Sequence, residues 1–289
     1  MSTELGKKIS FAGVSGYLLL LVVLPLGAIF KQAFSAGVWG FIHSVLQPIG
    51  VSALVLTIKT SLLAALLNTV AGTVIAFALV RTSIPGKSIL NAMVDLPLAI
   101  PTTVSGLMLI FLYGPSSPIG SWFARHGVDL IYSPLAIVIA LVFVTFPYTI
   151  RAVQPLLDGS DRRMEEAALT LGASKLRVLR TIVLPTILPG VISGFALSFS
   201  RATAEFGSVV LVSGNLPMHT QVSAVYLYGL LENYNQQGAA AISVVLLGLS
   251  FVAVVCQIYL SRQTHISALL RRVQRFPRGE FHEVEDRAV

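Results

Sequence analysis

Cysteine is nearly absent from this chain. The one present, Cys256, lies in an apolar stretch, so there is no disulfide framework and no cysteine-based metal site. Charge is scarce as well: 11% of the 289 residues are Asp, Glu, Lys or Arg, against roughly 25% in soluble domains. With 55% hydrophobic residues and a mean hydropathy of +0.81, that deficit excludes a water-soluble fold for most of the chain. The five histidines, at positions 43, 126, 219, 265 and 282, are scattered without ligand spacing, and no metal site is expected. Acidic residues are fewer than basic ones, leaving a net charge of +7. In a soluble protein this would suggest nucleic acid as a partner. Here the positive residues fall between apolar runs, where they orient a membrane chain.

What is present is a series of apolar runs. A membrane span takes about 20 apolar residues, and six stretches qualify: 11–30, 61–80, 89–113, 134–150, 183–200 and 239–260. Lys7 and Lys8 precede the first, as they would in a signal peptide. Its apolar core exceeds the 7–15 residues of a signal segment, which favours a retained span. The third run is interrupted by Asp95, Pro97 and Pro101. Residues 206–212 are apolar but too few to span, and Ser213-Gly214-Asn215 reads as a turn. Tyr226, Tyr228 and Tyr234 suggest a segment at headgroup level. The fold class expected is all-α: a polytopic membrane protein with six transmembrane helices.

Catalytic constellations are missing from the spans. They contain no Ser/His pair, no two-aspartate motif and no metal spacing, which argues against an intramembrane enzyme. Pro85-Gly86-Lys87-Ser88 resembles the end of a phosphate-binding loop. That motif needs glycine where Arg81 stands, and a strand where a span lies. The segment therefore reads as a turn.

Basic residues set the orientation. With the N-terminus inside, 16 of the 20 Lys and Arg fall on the cytoplasmic side: Lys7, Lys8, Arg81, Lys87, six between 151 and 180, and six from 262 to 287. Lys31, Lys59, Arg125 and Arg201 remain outside or at span edges. Both termini and the loop before the fifth span are expected in the cytoplasm.

That loop has its own punctuation. Ser160 or Asp161 is a good N-cap, Glu165 and Glu166 favour the positive end of the helix dipole, and Gly172 suits a left-handed C-terminal stop. A helix of about ten residues, about 15 Å long, is expected, with Ser174 capping the next one. Met164, Ala167, Ala168 and Leu171 recur at helical spacing and predict a flat apolar face. By composition alone this could equally be a helix lying on lipid headgroups.

The spacing goes further. Glu166-Ala167-Ala168, three residues, Gly172, nine residues, then Ile182-Val183-Leu184-Pro185 resembles the EAA loop of binding-protein-dependent ABC importer permeases at every position. The resemblance implies a type I ABC importer-like fold, with residues 158–185 holding a coupling helix that docks in a cytoplasmic ATPase subunit. Asp95 to Gly106 looks like the Leu-Pro-x-x-x-Pro stretch of oxyanion importers for sulfate and molybdate. Phe199 to Gly207, with Ser213-Gly214-Asn215, is similar to their Arg-x-x-x-Glu-Phe-Gly segment. The added first span favours the sulfate/thiosulfate (T-type) permease family, with molybdate/tungstate permeases as the alternative.

The family implies a non-catalytic permease with no cofactor of its own. ATP and Mg would be bound by two copies of a separate ATPase, and the other partners would be a second permease subunit and an extracytoplasmic sulfate-binding protein. Residues 1–54 would form the N-terminal end, first span and external loop. Residues 55–262 would form the importer domain, and 263–289 a cytoplasmic basic tail. The ATPase-coupling residues would be Glu165, Glu166, Ala167, Ala168, Gly172, Ile182, Leu184 and Pro185.

Further candidates have two readings each. Arg201 and Glu205 are four apart and would face each other on a helix. Ionisable groups at membrane depth mark a pathway, or here a structural pair at the end of span five. Thr102, Thr103 and Ser105 follow Pro101, where broken backbone lines a cavity; alternatively their hydroxyls bond the preceding helical turn. Gly190 and Gly194 read as a helix-packing face. Residues 264–276 read as a basic amphipathic helix on the anionic inner leaflet. An ion-coupled secondary transporter would need intramembrane carboxylates, for which Glu205 is the lone candidate.

Overall fold

A computed structural model describes the backbone of residues 2–273, with side chains described at 6, 7 and 10–259. In chain order, α1 (Ser2–Leu18) runs through a π turn (Leu19–Val23) into α2 (Leu24–Ala33), followed by α3 (Gly37–Val45), α4 (Pro48–Arg81), α5 (Lys87–Ala99) and α6 (Thr102–Tyr113). Then come α7 (Pro118–Arg125), α8 (Pro134–Asp158), α9 (Arg162–Thr170) and α10 (Lys175–Val178). A second π turn (Leu179–Val183) leads into α11 (Leu184–Thr203), then α12 (Gly207–Val212), α13 (Ser223–Glu232) and α14 (Gln236–Val273). No strand occurs among the described residues.

Among the described residues, five stretches are long and apolar enough to cross a membrane: Ser10–Ala33, Pro48–Arg81, Pro134–Asp158, Lys175–Thr203 and Gln236–Tyr259. The bent pair α5 and α6 makes a sixth if it is one span. Its break has a local cause. Ile100 is extended (φ −79°, ψ 130°), because the ring of Pro101 disfavours helical backbone in the residue before it.

The boundaries differ from the expected runs in one direction. α4 starts at Pro48, not 61, since Pro is suited to the first helical position and apolar residues continue from Val51 onward. Its 34 residues measure about 51 Å, well beyond a hydrocarbon core of about 30 Å. α8 likewise extends to Asp158 despite Pro147 and Pro155. The proposed domain boundary at residues 54 and 55 lies inside α4. α14 is helical through Val273; the side chains of the basic stretch 264–276, and so its expected amphipathic face, lie outside the described residues.

The chain forms two packing units. One comprises the residues up to Ser61, Thr102–Leu141 and Thr203–Ser250. The other comprises Leu62–Pro101, Val142–Ala202 and the described residues from Phe251 onward. In the first unit, Leu109, Ile131, Ala136, Ala140 and Val212 bury an apolar cluster. Thr57 Oγ1 accepts from the Ser223 backbone N–H at 2.8 Å. Residues 10–25 of the first span are all exposed.

The second unit is held by small residues and a buried polar seam. A Cβ on Gly194 would lie 2.7 Å from Thr149 Cα, and one on Gly190 2.6 Å from the Ala152 carbonyl. Both glycines of α11 therefore do serve close helix approach, the device by which membrane helices associate without a hydrophobic driving force. Asn68 Nδ2 donates to Thr145 Oγ1 at 2.8 Å and to the Val142 carbonyl at 3.1 Å. Ser198 Oγ donates to the Thr145 carbonyl at 3.2 Å. Below this seam Ala76, Leu79, Val80, Val94, Ile150, Val153, Leu157, Val178, Val183 and Ile187 form an apolar core.

Candidate coupling loop and translocation residues

The second unit contains the loop between α8 and α11. Asp161 caps α9, its carboxylate accepting from the Arg163 N–H at 2.9 Å. At the other end Gly172 takes φ +83°. Its N–H donates to the Leu169 carbonyl at 3.0 Å, and the Ala173 N–H donates to Ala168 at 3.0 Å. These two bonds complete a Schellman motif, satisfying carbonyls the helix would otherwise leave open. Ser174 then caps α10, accepting from Arg177 N–H. The helix boundaries thus follow from two side chains and one glycine.

Met164, Ala167, Ala168 and Leu171 recur on one side of α9, with Ala168 at the edge nearest the core. Ala168 is half-buried and, with Ala173, packs on the apolar core. Met164, Ala167 and Leu171 point away from it, Leu171 being 88% exposed. Burial of Ala168 is what lets α9 lie close against the unit, and the other three form an unpartnered surface. Glu166 is exposed and Glu165 is half-buried. Beyond α10, Ile182 is half-buried on the core while Leu184 and Pro185 are exposed.

Two polar contacts here were not legible in the sequence. Arg81, the last residue of α4, donates through Nη2 to Glu165 Oε1 and Ser160 Oγ, each at 2.5 Å. Arg151 of α8 clasps Asp95 of α5, with Nε to Oδ1 at 2.7 Å and Nη2 to Oδ2 at 2.6 Å. Its remaining N–H groups reach the Asn91 carbonyl, Asn91 Oδ1 and Gln154 Oε1. The only available signal was the rarity of charge: an acid and an arginine inside apolar runs need partners.

The first unit contains the hydroxyl residues and Glu205. The helix ladder of α11 ends at Thr203, so Glu205 lies past it, and the one-turn spacing with Arg201 on a shared helix does not arise. The reason is local. Glu205 is 2% exposed, and its Oε1 accepts from the Ser208 N–H at 3.0 Å and Ser208 Oγ at 2.9 Å. An anion is favoured at that helix start, and α12 begins there. Arg201 sits half-buried in the last turn of α11, in the second unit.

Thr102, Thr103 and Ser105 stand in the first turns of α6, against the start of α12. A Cβ on Gly106 would lie 2.7 Å from the Ser208 carbonyl, and one on Gly207 would clash with Thr102 Oγ1. Two glycines thus allow the two helix starts to touch. Thr102 is half-buried, Thr103 exposed and Ser105 fully buried, its hydroxyl without a hydrogen-bond partner. The structure therefore brings Thr102, Ser105, Ser208 and Glu205 into one neighbourhood. Among the described residues no cluster of His, Cys, Asp and Glu could hold a metal ion.

Several apolar helices, a doubly capped loop helix with an exposed apolar surface, and a broken third span define a multi-pass membrane protein of the importer-permease class. Residues 68–266 match the family described as binding-protein-dependent transport system inner membrane component, and the chain belongs to that family. It is 40% identical over 236 residues to the sulfate transport system permease protein CysT of Synechocystis sp., covering 82% of each chain. It is 41% identical to the protein of the same name from Synechococcus elongatus, over 82% of this chain and 85% of that one. In fold it resembles a subunit of a bacterial ABC transporter that imports the acidic polysaccharide alginate, with a TM-score of 0.74, 16% identity, and 91% and 96% of the two chains covered. As a family member it is an inner-membrane permease component of an ABC importer.

Proposed function

We propose that this chain is the transmembrane permease subunit of an ATP-driven sulfate/thiosulfate importer, with both termini in the cytoplasm. The observation that carries the substrate is the identity of 40–41% to sulfate permeases over more than four fifths of each chain. Its partners would be a second permease, two copies of a cytoplasmic ABC ATPase and an extracytoplasmic sulfate-binding protein. Met164, Glu166, Ala167 and Leu171 form the surface that meets the ATPase. ATP and Mg belong to that subunit. Closure of the ATPase pair would push the loop and turn the cavity from inward to outward facing.

The carboxylates support this reading over ion-coupled transport. Asp95 is committed to Arg151 and Glu205 to the start of α12. A proton- or sodium-coupling acid must be free to change partners during each cycle. Expression of the chain with its partner subunits in a sulfate-uptake mutant tests the substrate. Growth on limiting sulfate is expected; restored molybdate uptake without sulfate uptake would reassign the substrate.

A further inference from the structure

Two adjacent glutamates of α9 have opposite surroundings. Glu166 is exposed. Glu165 turns toward the end of α4, where it meets Arg81. The Arg81 side chain is 8% exposed and that of Glu165 20%. Arg81 also donates to Ser160, at the entrance to the same helix, while its Nε has no hydrogen-bond partner. Arginine does not shed its charge on burial. It must keep a partner, because removing one side of a buried pair leaves an uncompensated charge.

A second strap lies beside the first. Arg162 Nη2 donates to the Val80 carbonyl at 2.9 Å, a cation on the last turn of a helix. Beneath both, Ala76, Leu79 and Val80 of α4 share an apolar core with Ala168, Ala173 and Val178 of the loop. The exit from the loop is built differently. There the helix widens into the π turn, with Leu184 N–H reaching back to the Leu179 carbonyl. Pro185 follows directly and offers no N–H to the ladder.

We infer that Arg81 is a positioning residue that fastens the coupling helix to α4, so that a displacement of the loop is delivered to that span directly. This rests on the reading of residues 158–185 as the ATPase contact. The two glutamates divide the work: Glu165 holds the helix from inside, and Glu166 is left for the partner. The α11 side of the loop, joined through the wide turn, carries no comparable ionic strap among the described residues.

The test uses the full complex, affinity-purified and reconstituted with its binding protein, in four forms: wild type, Arg81→Met, Arg81→Lys and Glu165→Gln. Two quantities are read: the ATPase subunit retained on the permease, and sulfate moved per ATP hydrolysed. Arg81→Met should retain the ATPase subunit and its basal hydrolysis, yet move about tenfold less sulfate per ATP; Glu165→Gln should lower the same ratio, while Arg81→Lys recovers part because it keeps the charge without the fork. Glu165→Gln serves if Arg81→Met does not reach the membrane, since it keeps the side chain's shape. An unchanged ratio in either variant overturns the inference. Loss of the ATPase subunit from Arg81→Met would assign Arg81 to docking and overturn it too. A wild-type permease that holds no ATPase subunit would overturn the reading of the loop itself.

Discussion

Arg151 grips Asp95 with both arms of its guanidinium, at 2.7 and 2.6 Å, and thereby ties α8 to α5. Two parallel charge-assisted bonds fix direction as well as distance. Lysine can supply the charge but not the fork, so Arg151→Lys should behave nearly as poorly as Arg151→Ala. Each single replacement should lower the permease recovered from membranes, and Asp95→Ala with Arg151→Ala together should be no worse than either alone. Quantitative immunoblotting of solubilised membranes checks this. If the double variant is the worst of the set, the pair is not acting as a pair.

Orientation gives a second prediction. With 16 of 20 basic residues assigned inside, position 174 should be shielded from impermeant thiol reagents in intact cells. Cys256 is exposed in the structure, so the probe Ser174→Cys is placed in a Cys256→Ala background. Labelling should appear only after the membrane is opened. Strong labelling of intact cells would reverse the topology.

Two glycine substitutions should fail for different reasons. Gly172 has φ +83° and open space around its missing Cβ, so the cost of Gly172→Val is backbone conformation, about 1–2 kcal/mol or more. The permease should insert at normal levels and lose uptake, and Gly172→Asn should keep more activity than Gly172→Val. Gly194 instead has Thr149 Cα where a side chain would go. Gly194→Leu should fail at assembly, giving little protein in the membrane. Equal membrane levels for Gly172→Val and Gly194→Leu would contradict this division.

What could be read from the sequence follows the range of the forces involved. Asp161, Gly172 and Ser174 act on backbone within four residues, so the ends of α9 were legible. The break of the third span was legible for the same reason, through Pro101. Arg81 and Glu165 are 84 positions apart, and no local pattern links them. Glu205 was misplaced onto a helix because the chain around it is helix-compatible. Its carboxylate instead joins the start of α12, a contact visible only once the chain has turned. The spacing places Met164, Ala167, Ala168 and Leu171 together on α9, but that the core takes up Ala168 at the edge of this face depends on tertiary packing.

Arg201 divides a structural role from a pathway role. If it helps an oxyanion across, Arg201→Ala should abolish sulfate uptake whether or not Glu205 is also neutralised. Arg201→Lys should restore only part. Glu205→Gln should be milder than Glu205→Ala, since the amide oxygen can still accept from Ser208. Uptake by these variants at matched membrane expression decides the matter. Rescue of Arg201→Ala by Glu205→Ala would leave Arg201 a structural residue.

The most direct measurement is radiolabelled sulfate accumulation in proteoliposomes holding this chain, its second permease and the ATPase, with binding protein supplied outside. ATP is either enclosed or left out, and proton and sodium gradients are imposed separately. Sulfate should accumulate only with enclosed ATP and added binding protein, and should continue when both gradients are collapsed. Accumulation driven by an ion gradient without ATP would contradict the account.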